Sequence, residues 1–204
     1  MTRQIIWLWG LAFAPGISGV LAGAAEVLNE SFEAPMVSGR VVTTPTGWKR
    51  VYALQNYSAV WNEDTSGATT PHGAQVGAAW TMGGFQSTNV TEVVQPGATY
   101  TLTFNVGNCD TDTGNARTDS QYTADILAGE TVLASVSGLT NTDDLSQSNL
   151  TSVVIGAGHP NLGQTLGVRL RMTGGHWKGL TLFDNVRLTA VESDEWKRSL
   201  FYGK

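Results

Sequence analysis

The sequence predicts an all-β protein, a two-sheet antiparallel jelly-roll β-sandwich. Apolar and polar residues alternate with a period of two in short segments that are rich in β-branched side chains. Clusters of Gly, Pro, Asn and Asp separate these segments at the spacing typical of a sandwich or barrel. No segment beyond the N-terminal apolar run has a sustained helical period. Strands that follow one another without helices are expected to pair antiparallel and to pack as two sheets face to face.

Eleven strands are predicted from this pattern, each ending where the alternation ends. They are Val27–Phe32, Trp48–Ala53, Ser58–Trp61, Gln75–Ala79, Thr88–Val94, Tyr100–Val106, Gln121–Leu127, Thr131–Val136, Leu150–Ile155, Thr165–Met172 and Leu180–Thr189. Turn residues support the boundaries: Pro96-Gly97 separates two strands, and Gly129 is placed for a tight hairpin. Two long polar segments, 108–121 and 138–148, are predicted to be loops.

Residues 1–25 have the pattern of an export signal, with Arg3 before an apolar run and a small-residue cleavage site at Ala22-Gly23-Ala24-Ala25. Pro15 and Gly16 interrupt that run, which favours cleavage over a stable membrane span. We therefore expect a secreted or cell-surface protein with one domain over residues 26–191 and a C-terminal tail over 192–204. The single cysteine, Cys109, excludes an intrachain disulfide.

The charge balance argues against one class of partner. The chain has 12 basic and 17 acidic residues, a formal net charge of −5. A nucleic-acid-binding protein usually presents a basic surface to the phosphates, and no such surface is indicated here.

Both ends of the predicted domain have distinctive motifs. Asn29-Glu30-Ser31-Phe32-Glu33 lies on and after the first strand, and Phe183-Asp184-Asn185-Val186-Arg187 lies in the last. Together they resemble the secreted galactose-binding-like jelly rolls, which include many carbohydrate-binding modules and the cell-wall family DUF642. The resemblance implies that the first and last strands lie side by side, often with a calcium ion between them.

The resemblance places the two metal-binding carboxylates at Glu33 and Asp184, with Asn29 as a further oxygen ligand. Calcium takes six to eight oxygen ligands, so carboxylates, amides and carbonyls are the appropriate groups. A site of this kind would be structural, because it would join the two termini of the domain. The alternative is that Glu33 and Asp184 are ordinary polar residues at strand ends, solvated or paired with Arg187. His72 stands where the family usually has an acid, which weakens any ligand role for that position.

Carbohydrate binding requires flat aromatic faces that stack against sugar rings. Trp61, Trp80 and Trp177 all lie near turn residues and are the candidates for such a surface. Partly buried packing is an equally good interpretation of these three side chains. Trp48 follows Gly47 shortly after the first strand and matches a core position of the resembled family.

No catalytic motif is evident: the histidines are too scattered for a metal-binding pair, and no nucleophile elbow or phosphate-binding loop is present. The sequence therefore favours a non-catalytic domain that binds a polysaccharide or other glycan and holds a structural calcium ion. The alternative is a structural surface or matrix protein that self-associates through its sandwich. We do not expect an enzyme.

Overall fold

The structure is a computed structural model that describes residues 23–51, 58–62, 69–108, 120–140, 145, 147–175 and 179–193. All the regular secondary structure in these residues is β-strand. The strands are β1 (Ala25–Glu30), β2 (Arg40–Val41), β3 (Trp48–Val51), β4 (Ser58–Asn62), β5 (Gln75–Trp80), β6 (Gly84–Ser87), β7 (Ala98–Gly107), β8 (Gln121–Ala128), β9 (Thr131–Leu139), β10 (Gln147–Val154), β11 (Leu166–Gly174) and β12 (Leu180–Glu192). No helix within the described residues is long and apolar enough to cross a membrane.

The strands form two antiparallel sheets. Sheet A has the order β10-β7-β12-β5-β4-β2, with β1 also paired to β12, and sheet B has the order β3-β6-β11-β8-β9. This arrangement confirms the predicted all-β sandwich. The predicted neighbourhood of the first and last strands is also confirmed, since β1 pairs with β12 from Ala25 opposite Ala190 to Glu30 opposite Val186.

Strand β12 changes its pairing partner partway along its length. Its first residues pair with β5 as far as Phe183, and its later residues pair with β1 from Val186 onwards. The partner on this side therefore changes at Asp184 and Asn185. The pairing of β12 with β7 on its other side is interrupted at the same place, between Asp184 and Arg187. Asn185 has a φ of 50°, a left-handed conformation that Asn adopts more readily than most residues. Together these features define a β-bulge, a feature that often redirects side chains next to active sites.

The main core lies between the two sheets. Phe32, Trp48 and Phe85 form an aromatic group within it, and the rings of Phe32 and Trp48 stack with their centroids 5.1 Å apart. The predicted core role of Trp48 is confirmed, because only 4% of its surface is exposed. The alternation of β7 produces the same core from sheet A: Tyr100, Leu102, Phe104 and Val106 are buried, and the residues between them are partly exposed.

A second, smaller group of buried apolar side chains, all but one of them on strands of sheet A, is separate from the main core. We call it the outer cluster; it consists of Ala59, Trp61, Val76, Ala78, Leu145, Leu180 and Leu182. On β12 its members alternate with Phe183, which belongs to the main core. Because side chains alternate between the two faces of a strand, the outer cluster lies on the face of sheet A that points away from sheet B.

Two differences from the predicted strands are informative. Thr88–Val94 was predicted as a strand and contains only an isolated bridge, at Val93, because that segment leaves the sheet after Ser87. The short strands β2 and β6 were not predicted. Strand β6 begins at Gly84 and has only four residues, so it lacks both the β-branched content and the length that a sequence pattern needs.

Gly84 is expected to be indispensable for the pairing of β6 with β11. A Cβ atom at this position would lie 2.2 Å from the backbone oxygen of Leu170, and the backbone cannot move aside as a flexible side chain could. Gly84→Ala should lower the free energy of unfolding by about 1–3 kcal/mol or more, measured by urea denaturation. Gly167→Ala on β11 is the matched control, because the nearest atom to its added Cβ is 3.6 Å away. Equal stability of the two variants would contradict this account of the pairing.

Candidate active site

Asp184 is the most unusual polar residue in the described part of the chain. It lies where the sheet partner of β12 changes, and its side chain has no exposed surface. Its Oδ2 atom accepts a hydrogen bond of 2.9 Å from the backbone N–H of His72. Its Oδ1 atom is buried and has no hydrogen-bond partner among the described residues. A buried carboxylate oxygen without a partner is costly if the group is ionised, so its presence calls for a functional explanation.

Glu33 binds the backbone of the turn around His72 and Gly73, the turn whose His72 N–H donates to Asp184. Both carboxylate oxygens of Glu33 accept backbone hydrogen bonds, one from Ala74 at 3.1 Å and one from Gln75 at 3.0 Å. Gly73 has a φ of 71°, and a Cβ there would lie 2.3 Å from the Glu33 carboxylate. Only glycine therefore allows the turn and the carboxylate to approach so closely. The Nδ1 atom of His72 and the Ser31 Oγ atom are 2.6 Å apart, which adds a second link between the turn and the end of β1.

The surroundings of Asp184 favour its protonated form. Burial is the main cause that raises its pKa, from 3.8 to about 7. The backbone N–H groups of His72 and Asn185 oppose this shift, and the negative charge of Glu33 adds to it. Asp184 can consequently exist as a neutral acid near neutral pH, with its free oxygen able to carry the proton. A carboxylic acid whose pKa lies near the operating pH is suited to general acid catalysis.

Apolar side chains adjoin this acid on the outer face of sheet A. Leu182 lies two residues before Asp184 on the same strand, and Val76 lies one residue beyond the last β5–β12 pair. Trp61 is the register partner of Val76, so the outer cluster extends across three strands from β12 to β4. Trp61 and Trp80 have centroids 6.2 Å apart, and the Arg40 guanidinium lies 4.5 Å from the centre of the Trp61 ring. The acid and an aromatic, apolar surface thus share one face of the sheet.

The structure brings together two of the three predicted metal ligands. Glu33 lies close enough to Asp184 for its charge to influence the pKa of that residue. Asn29, in contrast, has an exposed side chain, and its backbone is the register partner of Arg187 on β12. The described residues contain no group of three or more His, Cys, Asp or Glu side chains arranged to hold a metal ion. One oxygen, Asp184 Oδ1, is available to a metal, whereas both oxygens of Glu33 already accept N–H groups. Calcium therefore stays a prediction.

The calcium hypothesis has a direct test. If Glu33 and Asp184 hold calcium, a chelator should lower the melting temperature, and Asp184→Ala should lower it by a similar amount without a further effect of the chelator. A ligand present at about a hundred times its dissociation constant contributes roughly 2.7 kcal/mol of stability, which is readily seen in a melting curve. A wild-type melting curve that is identical with calcium and with chelator would exclude the site.

The three tryptophans predicted to form a binding surface have different locations. Trp61 is 7% exposed and belongs to the outer cluster, and Trp80 is partly buried against it. Trp177 and Cys109 lie outside the described residues, as do most of the loop at 108–121 and the tail from residue 194. Trp61 and Trp80 are thus packed together rather than standing free at a rim.

Sequence comparisons identify the family. The protein-family model for HpiC1-like proteins, described as HpiC1 cyclase, matches residues 24–189. The chain belongs to the HpiC1-like family. No curated protein sequence matches this HpiC1-like chain.

Solved structures of cyclases are similar to this HpiC1-like chain over 84% of its length. The Stig cyclase Fisc from Fischerella sp. TAU, in complex with (3Z)-3-(1-methyl-2-pyrrolidinylidene)-3H-indole, is 25% identical, with a TM-score of 0.71 and coverage of 84% of this chain and 100% of that one. A cyclase from the same organism in complex with 4-(1H-indol-3-yl)butan-2-one has the same identity, coverage and TM-score. An apo cyclase from Fischerella sp. is 26% identical, with a TM-score of 0.69 and coverage of 84% and 98%.

These findings correct the functional prediction. The expectation of a non-catalytic polysaccharide-binding domain is wrong, and so are the polysaccharide partner and the alternative of a self-associating matrix protein, because the family is one of cyclases and the related structures contain indole compounds. The expectation that the chain is not an enzyme is wrong for the same reason. The jelly-roll β-sandwich that the resemblance implied is shown, whereas the finer resemblance to DUF642 is not.

Sequence reasoning noticed Asp184 but not its buried environment or its raised pKa. In the sequence it is one aspartate in a strand motif, with no second carboxylate or histidine at a catalytic spacing. Its unusual environment arises from the bulge, the change of partner strand and the turn at His72, which is 112 residues away along the chain. The available signal was a charged residue within the otherwise apolar run of the last strand.

Proposed function

We propose that this protein is a cyclase that closes a ring within an indole-bearing small molecule, with protonated Asp184 as the proton donor. The observation that carries the proposal is the buried Asp184 carboxyl group, which has one unpartnered oxygen and a pKa raised to about 7 by burial. The substrate class is suggested by the indole compounds in the related cyclase structures. A ring closure that is an isomerisation neither adds nor removes atoms, so a single residue that lends and recovers a proton suffices for it.

The proposed step is an acid-assisted isomerisation. Asp184 donates its proton to a basic nitrogen or a double bond of the substrate, which makes a neighbouring carbon electron-poor. The π electrons of the aromatic ring then form the new carbon–carbon bond to that carbon. Loss of a proton from the resulting cation regenerates the neutral acid, and substrate and product have the same composition. General acid catalysis of this kind typically accelerates a reaction by about 10²–10⁴-fold.

The outer cluster supplies the environment that this chemistry needs. Trp61, Leu182 and their neighbours are buried apolar side chains beside Asp184, and an indole ring that entered among them would bury its area favourably. A dry surrounding also keeps the acid protonated and keeps water away from the cation. Arg40 stacks on Trp61 at the margin of the cluster, where its charge stays at a solvent-exposed position.

The proposal is tested by incubating the purified protein with a panel of indoles that carry an unsaturated side chain. The expected result is a new compound with the mass of the substrate and fewer double bonds, detected by chromatography with mass spectrometry and by NMR. The compound 4-(1H-indol-3-yl)butan-2-one serves as a binding probe, and saturable quenching of tryptophan fluorescence is expected. A folded protein that neither binds this probe nor converts any member of the panel would contradict the proposal.

We further propose export by residues 1–25. As the alternative to the proton-donor role of Asp184, we propose a structural calcium ion at Glu33 and Asp184, because a carboxylate that ligates calcium is ionised and cannot donate a proton. The first is supported by the sequence of the N-terminal segment and the second by the proximity of the two carboxylates. No step of the proposed reaction passes through the metal.

A further inference from the structure

A chain of side-chain hydrogen bonds lies directly beside Asp184. The Nε atom of Arg187 donates to Asn185 Oδ1 at 3.0 Å, and Asn185 Nδ2 donates to Asn105 Oδ1 at 3.0 Å. Asn105 Nδ2 then donates to the backbone oxygen of Leu145 at 2.9 Å. Each amide uses its oxygen as acceptor and its nitrogen as donor, so the sequence of donors and acceptors is consistent from Arg187 to Leu145. We call this set the amide chain.

The bulge in β12 explains how the amide chain forms. In a regular strand, Asp184 and Asn185 would point to opposite faces of the sheet. Here Phe183, Val186 and Leu188 all belong to the main core, so two residues rather than one lie between the inward-facing Phe183 and Val186. The left-handed backbone of Asn185 lets its side chain reach Asn105, which is the register partner of Asp184 on β7. The acid and the amide chain therefore share a single stretch of the sheet.

The amide chain ends on a residue of the outer cluster. Leu145 is 1% exposed and packs with that cluster, although it lies outside every strand. Among the described residues Leu145 belongs to no strand, so no sheet ladder of backbone hydrogen bonds fixes its position. The bond from Asn105 to its carbonyl is therefore a specific restraint on where the Leu145 side chain packs.

We infer that Asn105, Asn185 and Arg187 are positioning residues, whose amide chain fixes Leu145 over the outer cluster and so keeps water away from the reacting centre beside Asp184. This inference rests on the proposed function for its catalytic consequence, but the positioning itself can be observed in the protein alone. If the restraint is lost, the outer cluster should admit water. The cationic intermediate would then be captured by water in competition with ring closure.

The first experiment measures the access of solvent to Trp61 without any substrate. Asn105→Ala is compared with wild type by acrylamide quenching of tryptophan fluorescence. Trp61→Phe is also introduced into each of the two proteins, and the difference in quenching with and without it gives the contribution of Trp61. Local opening of the cluster should raise the quenching constant of Trp61 by about twofold or more. Thr101→Ala is the matched control, because Thr101 lies on the same face of β7 four residues away and has no part in the amide chain.

The second experiment measures the products. Asn105→Ala and Asn185→Gly should form a hydrated side product, one water heavier than the substrate, and kcat for ring closure should fall by about tenfold while KM changes less. Asn185→Gly keeps the left-handed backbone conformation and removes only the side chain, so it separates the amide chain from the bulge. A purely structural defect would lower the yield of all products together without creating the hydrated one.

The outcomes are distinguishable. Increased quenching of Trp61 in both amide variants but not in Thr101→Ala supports the positioning role, even if wild type has no cyclase activity and the proposed function fails. Unchanged quenching and an unchanged product ratio in both variants would overturn the inference. Global unfolding of both variants would also overturn it, because the amide chain would then be required for the fold rather than for the packing of the outer cluster.

Discussion

Asp184→Asn is expected to reduce kcat for ring closure by about 10²–10⁴-fold, because the amide keeps the size of the side chain but has no acidic proton to donate. The reaction should be followed by the appearance of the isomeric product under saturating substrate. Binding of 4-(1H-indol-3-yl)butan-2-one should be retained, since the apolar surface is unchanged. A variant with wild-type kcat would exclude Asp184 as the proton donor.

Asp125→Asn is the matched control for this prediction. Asp125 is also a buried aspartate, 1% exposed, but it lies on sheet B and accepts hydrogen bonds from Arg169, Arg171 and Ser135. Its replacement leaves two arginines with a weaker partner and should lower stability. The kcat of the folded fraction should stay near that of wild type. Comparison of Asp184→Asn with Asp125→Asn therefore separates the catalytic effect of losing the proton donor from the general effect of replacing a buried aspartate.

The pH dependence follows from the direction of the pKa shift. An acid must be protonated to donate, so kcat/KM should be constant below the pKa of about 7 and should fall roughly tenfold per pH unit above it. A rate that rises through neutral pH would indicate that the ionised form of Asp184 is the active one.

The second large effect concerns stability. The pKa of Asp184 is raised from 3.8 in the unfolded chain to about 7 in the folded protein, so the folded state binds the proton more tightly. Protonated Asp184 makes its full contribution to the free energy of unfolding below the pKa of the unfolded chain. That contribution is lost as the pH rises through the pKa of the folded protein. In chelator at pH 8, Asp184→Asn should therefore be more stable than wild type, because the amide carries no charge to bury. The difference in the free energy of unfolding should be of the order of 4 kcal/mol, since the pKa rises by about three units and each unit corresponds to 1.36 kcal/mol.

Urea denaturation of both proteins across the pH range, with chelator and then with calcium, provides the measurement. The difference in the free energy of unfolding between variant and wild type should shrink towards zero as the pH falls to about 4. Added calcium should reverse the order at pH 8 if the metal binds Asp184, because the wild type would then gain the binding energy. A wild type that is more stable than the variant at pH 8 in chelator would contradict the raised pKa.

The fold could be predicted because its information is local and repeated. The alternation in β7 and the hairpin at Gly129 are visible in the sequence, and the structure has both. The pairing of the first and last strands is not local; the family resemblance implied it, and the structure has it too. The site could be predicted only in part. Glu33 and Asp184 were correctly placed near one another, yet the acid character of Asp184 depends on the turn at His72 and on burial, neither of which has a local sequence signal.

The role of the tryptophans illustrates the same limit. Trp61 and Trp80 were predicted from neighbouring turn residues as candidates for a sugar-stacking surface, and the structure packs them against each other on the outer face of sheet A. Burial of an aromatic ring depends on which strands become neighbours. The bulge at Asn185, which joins the acid to the amide chain, is likewise a property of four strands together, β12 and its neighbours β1, β5 and β7.

The most direct test of the central claim is the titration of Asp184 itself. The carboxyl carbon of Asp184, assigned by its absence in Asp184→Asn, can be followed by carbon-13 NMR as a function of pH in the presence of chelator. The account predicts a midpoint near 7, far above that of an ordinary aspartate. A midpoint near 3.8 would show that Asp184 is ionised at neutral pH and would contradict its assignment as the proton donor.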